Sequence, residues 1–148
     1  MTSTTMVSRR TQAGVQHYLG LGLWAAALAT LVNVAIYALV KALLNLPFIL
    51  PMQPGGELSP LPLFMVILMS ALPGVLAAGV LYVLDRFTRH GLTVFQGVAA
   101  ILVLLSLAGP LSLPIDGGTK AALASMHLAA AASIVGVLTV LSSRSGRV

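Results

Sequence analysis

The chain has 148 residues, of which 58% are hydrophobic and only 7% charged, with a net charge of +5 and a mean hydropathy of +1.02. A soluble domain carries about 25% charged residues; this chain has too few to cover a water-facing surface, so lipid must be its main solvent. Its basic residues fall between apolar runs instead of on one face, which fits membrane topology and argues against nucleic acid as a partner. The absence of cysteine excludes disulfides and thiolate metal sites.

Residues 1–17 read as a polar cytoplasmic tail containing Arg9 and Arg10. The apolar run from Leu19 to Leu44 is too long for a leader's apolar core of ~7–15 residues. It predicts a retained helix over about 18–44, with Tyr18 at the interface. Residues 45–60 (NLPFILPMQPGGELSP) contain four prolines and two glycines, which forbid a regular helix. Because Phe48, Ile49 and Leu50 are apolar, this loop is expected to lie on the membrane surface or fold over the bundle.

A second helix is predicted over about 61–84, with a kink at Pro73, whose missing N–H and bulky ring disturb the turn containing Met69. The third spans about 92–108, ended by Gly109, Pro110 and Pro114. The fourth spans about 120–141, and 142–148 form a second tail. Arg9, Arg10, Arg86, Arg89, Arg144 and Arg147 fall on one side, and only Lys41 and Lys120 on the other. This bias predicts both termini in the cytoplasm. The expected fold is an all-α, antiparallel four-transmembrane-helix bundle occupying residues 18–141, a multi-pass protein of the inner (plasma) membrane.

In lipid, helices associate through close packing of small residues and interhelical hydrogen bonds. Ala26, Ala29, Gly74, Ala124 and Ala131 are the expected packing positions. Polar side chains inside the spans are costly and each requires a reason. Asn33, Tyr37 and Lys41 recur at i, i+4 and i+8 on one face of helix one. His127 lies ~10 Å below the outer end of helix four, and Asn33 ~12 Å below the same surface. Ser106 occupies the last turns of helix three. Asn33, Ser106 and His127 are therefore expected to meet in the outer half of the bundle, with Tyr37 nearby, either as interhelical glue or as a ligand site. His127, surrounded by alanines, could alternatively ligate a haem or chlorophyll-type macrocycle; otherwise no cofactor is expected.

His17 and His90 read as interfacial residues. Asp85, Arg86 and Arg89 read as a solvated loop able to meet anionic headgroups. Glu57 and Asp116 are the only outward carboxylates, too isolated to indicate acid–base chemistry. No phosphate loop, nucleophile elbow or HExxH motif is present, and no carboxylate lies within the apolar spans.

Three short stretches carry a resemblance: Asn33 within LVNVAIYALVKALLNLPF, Ser106-Leu107-Ala108-Gly109-Pro110-Leu111, and Met126-His127. Through them the chain resembles a bacterial family of small four-helix membrane proteins of unknown function. That resemblance implies the fold and weight on Asn33 and His127, but no activity. The residues themselves suggest a non-enzymatic accessory or scaffolding subunit, with membrane lipids and other subunits, or itself, as partners. A binder or transporter of a small lipophilic or ionic ligand, and a pigment- or haem-binding subunit, stand as alternatives.

Overall fold

The computed structural model describes the backbone at residues 3–51, 53 and 56–145, and the side chains at 14–51, 53 and 56–142. Four helices account for most of it: α1 (Ser3–Leu44), α2 (Leu63–Phe87), α3 (Gly91–Ser112) and α4 (Gly117–Ser145). Each is long and apolar enough to cross a membrane, and the chain is a multi-pass, all-α membrane protein. The helices pack in chain order around a square. α1 lies between α2 and α4, and α3 closes the ring on the far side, while α2 and α4 touch only slightly across the diagonal.

Neighbouring helices are antiparallel, as their pairings show. Along α1 and α2, Gly22 faces Ala78 and Ala26 faces Gly74; Asn33 then meets Ser70. Between α3 and α4, Gln96 donates to Thr139 at 3.3 Å. The α1–α2 seam is the tightest. A Cβ added at Gly74 would lie 2.7 Å from the Ala26 N and Cα atoms, and one at Gly22 would lie 2.9 Å from the Ala78 Cβ. Small residues here let two backbones approach, which is how helices gain dispersion contact where lipid supplies no hydrophobic drive. Ala25 and Ala29 are fully buried beside this seam, in a cluster with Leu21, Leu81, Phe95, Ile134 and Leu138.

Several boundaries differ from the sequence expectation. The backbone is helical from Ser3, so the segment expected to be a tail continues α1. Its sequence to Ala13 contains neither proline nor glycine, and a helix already nucleated in the span extends at little cost. The helix α3 runs through Pro110 to Ser112 instead of stopping near Ala108. Proline's fixed φ suits a helix, and in the last turn its missing N–H removes only one bond. Pro73 lies inside α2, the helix in which it was expected. Asp116 starts α4 earlier than expected: its Oδ1 accepts from the Thr119 N–H at 2.8 Å and its carbonyl from the Lys120 N–H at 3.1 Å, an N-cap arrangement.

The proline-rich segment is a two-stranded antiparallel ribbon, β1 (Ile49–Pro51) with β2 (Leu58–Pro60), in the register Ile49–Pro60, Leu50–Ser59 and Pro51–Leu58. Prolines are tolerated because both strands are edges. The ribbon folds over the bundle instead of lying apart from it. Phe48 is fully buried, 4.9 Å from the Tyr37 ring, and its carbonyl accepts from the Leu61 N–H at 2.9 Å. Phe48 has φ 47 and Asn45 φ 50. For a bulky residue such as Phe48 this left-handed backbone is strained, and the buried ring is what holds it there. Among the arginines behind the orientation argument, Arg86 and Arg89 sit at the tight-turn end, opposite this ribbon. Arg9, Arg10, Arg144 and Arg147 lie outside the described side chains.

Gly74→Val forces the α1 and α2 backbones apart and should cost about 1–3 kcal/mol. Gly79→Ala, at a position where a Cβ meets nothing within 4 Å, should leave stability unchanged or slightly raised. Thermal unfolding in detergent checks this, and equal midpoints for the two variants would contradict the close seam.

Candidate functional site

The polar residues of α1 form one line along the seam towards the ribbon. Asn33 is 4% exposed, and its Nδ2 donates to Ser70 Oγ of α2 at 2.9 Å. One turn on, the Tyr37 hydroxyl donates to the Leu61 carbonyl at 2.8 Å, tying α1 to the exit of the ribbon. A further turn on, Lys41 Nζ lies 3.4 Å from the Tyr37 hydroxyl and 5.3 Å from the centre of its ring, so the ammonium reaches the helix end along an aromatic face. Tyr37 also packs with Phe48, Val66, Ala122, Leu123 and Met126. This cluster at the ribbon end therefore joins α1, α2, α4 and the ribbon.

The expected trio is distributed differently. Asn33 is inside the bundle, but its bond goes to Ser70. Ser106 is exposed on α3 and its hydroxyl donates to the Val103 carbonyl of its own helix at 2.8 Å. His127 is half-buried, with Nδ1 2.8 Å from the Leu123 carbonyl one turn back. The three side chains thus bond elsewhere rather than to one another. Equal depth was the reason to group them, but α1 and α3 stand on opposite corners of the square, which depth alone does not reveal. Ser70 is the partner of Asn33 that depth does not reveal; it lies one turn from Gly74 on the face of α2 that packs against α1, and that spacing is its signal.

The seam is not fully satisfied. Asn33 Oδ1 and Thr30 Oγ1 are buried without a hydrogen-bond partner, so the amide uses one end only. Of the expected packing residues, Ala26 and Ala29 are buried in the seam with Gly74, whereas Ala124 and Ala131 are half-buried on α4. Among the described residues, no group of three His, Asp or Glu side chains could hold a metal ion.

At the opposite end, the Tyr18 hydroxyl donates to Asp85 Oδ2 at 2.6 Å, and the Tyr18 ring meets Tyr82 edge to face at 5.4 Å. Gly91 packs against the Asp85 backbone, where an added Cβ would lie 2.7 Å from the Asp85 Cα. This contact allows the short turn from α2 to α3. Together, the arrangement fastens helices at both ends and at the middle of α1.

A double-mutant cycle of Asn33→Ala with Ser70→Ala should give a coupling energy of about 0.6 kcal/mol, and not above ~1.7 kcal/mol. Unfolding in mixed micelles measures it. A coupling indistinguishable from zero would mean that the Asn33–Ser70 bond contributes nothing to the seam.

No curated protein and no solved structure matches this chain. The sequence pattern of a family of unknown function, DUF6069, does match, over residues 13–144. That range takes in all four spans, the ribbon, and both the Asn33–Ser70 and Tyr18–Asp85 contacts, and the chain belongs to this family.

Proposed function

We propose that the chain is a non-enzymatic accessory or scaffolding subunit of a larger membrane assembly. The observation that carries this is the contrast between two outward helix faces. The outward face of α2 bears Phe64, Leu68, Leu72 and Leu76, bulky side chains suited to fluid acyl chains. On α4 the outward row is Ala121, Ser125, Leu128, Ala132, Gly136 and Val140, four of the six small, and a Cβ added at Gly136 would meet nothing within 4 Å. A helix that meets only lipid gains nothing from small residues, whereas one that meets another helix lets that backbone approach through them.

The orientation proposed with this reading places both termini in the cytoplasm and the ribbon outside, in the plasma (inner) membrane. It rests on the six-to-two division of basic residues between the two sides.

The His127 geometry favours one second reading. If Nδ1–H donates to the Leu123 carbonyl, Nε2 is left as the basic nitrogen, an arrangement suited to ligating haem or a related macrocycle. In that case the purified protein absorbs visible light and His127→Ala abolishes the band; a colourless preparation from unstripped membranes rejects this reading.

The native mass after gentle extraction tests the first reading. Complexes containing other chains are expected, and Ala132→Leu with Gly136→Leu should release the 15.3 kDa chain while its helical content is kept. A wild-type protein that runs alone, unaffected by either change, would refute the subunit role.

A further inference from the structure

A shallow groove of about 620 Å³ runs between α1 and α2 on the outside of the bundle, at the tight-turn end. Its α1 wall is Val15 and Leu19, and its α2 wall is Val75, Gly79 and Val83. Gly79 leaves the floor open, since a Cβ there would meet nothing within 4 Å. From Val75 to Leu84 at ~1.5 Å per residue the groove is ~14 Å long, about half of a ~30 Å hydrocarbon core. It therefore spans one leaflet and stops near the bilayer middle.

The groove is apolar throughout and aromatic at its tight-turn end. Tyr18 and Tyr82 line it there, at the level where aromatic residues meet headgroups. Arg86 follows Val83 by three residues and Tyr82 by four, so it continues the groove-lining face of α2 by one turn. Arg89 stands in the turn beyond, and both arginines are exposed. The carboxylate adjacent to Arg86 in sequence is engaged elsewhere. Asp85 accepts from Tyr18 on one oxygen, and its other oxygen lies against Gly91. The sequence neighbour that could pair with Arg86 is thereby held towards α1 and the start of α3.

We propose that this groove is a binding site for one anionic phospholipid of the leaflet on the Arg86–Arg89 side. An acyl chain lies along Val15, Leu19, Val75 and Gly79, and the anionic phosphate of the headgroup meets Arg86 and Arg89. Charge complementarity selects the occupant. A partner helix filling an apolar groove needs no cations at its end, and a zwitterionic lipid brings its own cation beside the two arginines, so it carries no net charge to offset theirs. The site lies on α1 and α2, apart from the small-residue row of α4, so it does not depend on the subunit reading.

The test is native mass spectrometry of the full chain in micelles doped with equal amounts of phosphatidylglycerol and phosphatidylcholine of the same acyl chains. One retained lipid is expected, with phosphatidylglycerol preferred. Surface arginines attract anionic lipid about fivefold each, so Arg86→Gln and Arg89→Gln should each reduce the preference by about that factor, whereas Arg86→Lys should keep it. Gly79→Leu, which fills the floor without touching the seam, should lower retention of both lipids. Equal retention of the two headgroups by the wild type would overturn the proposal, as would an unchanged preference in Arg86→Gln. A Gly79→Leu protein that keeps its lipid, or a protein dimer occupying the groove with no lipid retained, would do the same.

Discussion

The close approach of α1 and α2 at Gly22, Ala26, Gly74 and Ala78 is the contact on which the rest of the bundle depends. In lipid, exposed leucines lose nothing by staying where they are, so apolar burial cannot drive these helices together as it would in water. What remains is dispersion between atoms at contact distance, and that requires backbones to come close along several turns. Small residues at four facing positions achieve this on the α1–α2 seam. The Asn33–Ser70 bond then fixes the register, because sliding either helix by a turn would leave the amide unpartnered in a dry interior. The seam provides closeness through glycine and alanine, and register through one amide and one hydroxyl.

The ends of the bundle are organised around this seam. At the ribbon end, Tyr37 both packs on Phe48 and bonds the Leu61 carbonyl, so α1 carries its own cap. The left-handed backbone of Phe48 costs on the order of 1–3 kcal/mol, comparable with the gain from burying a phenylalanine ring, which explains why strain is tolerated there. At the other end the Tyr18–Asp85 bond joins α1 to α2, and Gly91 allows α3 to begin almost at once. The helices are thus held by contacts at fixed heights, a different solution from the continuous apolar core of a soluble four-helix bundle.

Much of this was legible in the sequence. Four apolar runs of spanning length, the proline-rich break and the cost of Asn33 within a span each have a direct physical reading. Gly74 was legible as a packing position because a glycine inside a helix needs a reason. The partner of Asn33 was not, since depth along a helix can be counted in residues whereas adjacency around a bundle cannot. Ser106 shows the difference: it has a plausible depth but stands on the corner opposite α1 and satisfies its own hydroxyl locally. The ribbon was hidden because three-residue strands bearing prolines give no alternation to read. Pro110 misled for a related reason, since proline ends most helices but is nearly harmless within the final turn.

The helix α3 gives the asymmetry of the bundle its meaning. It buries less of itself than any other span, and its described polar contact to α4 is the exposed Gln96–Thr139 bond at 3.3 Å. Its neighbour α4 is the helix whose outward row is mostly small, broken by Leu128 and Val140. The weakest internal packing and the most approachable outer surface therefore lie side by side, while the tight seam and the lipid-sized groove lie on α1 and α2. Under the proposed subunit reading, another helix would complete the bundle beside α3 and α4, with the α1–α2 side left to the bilayer.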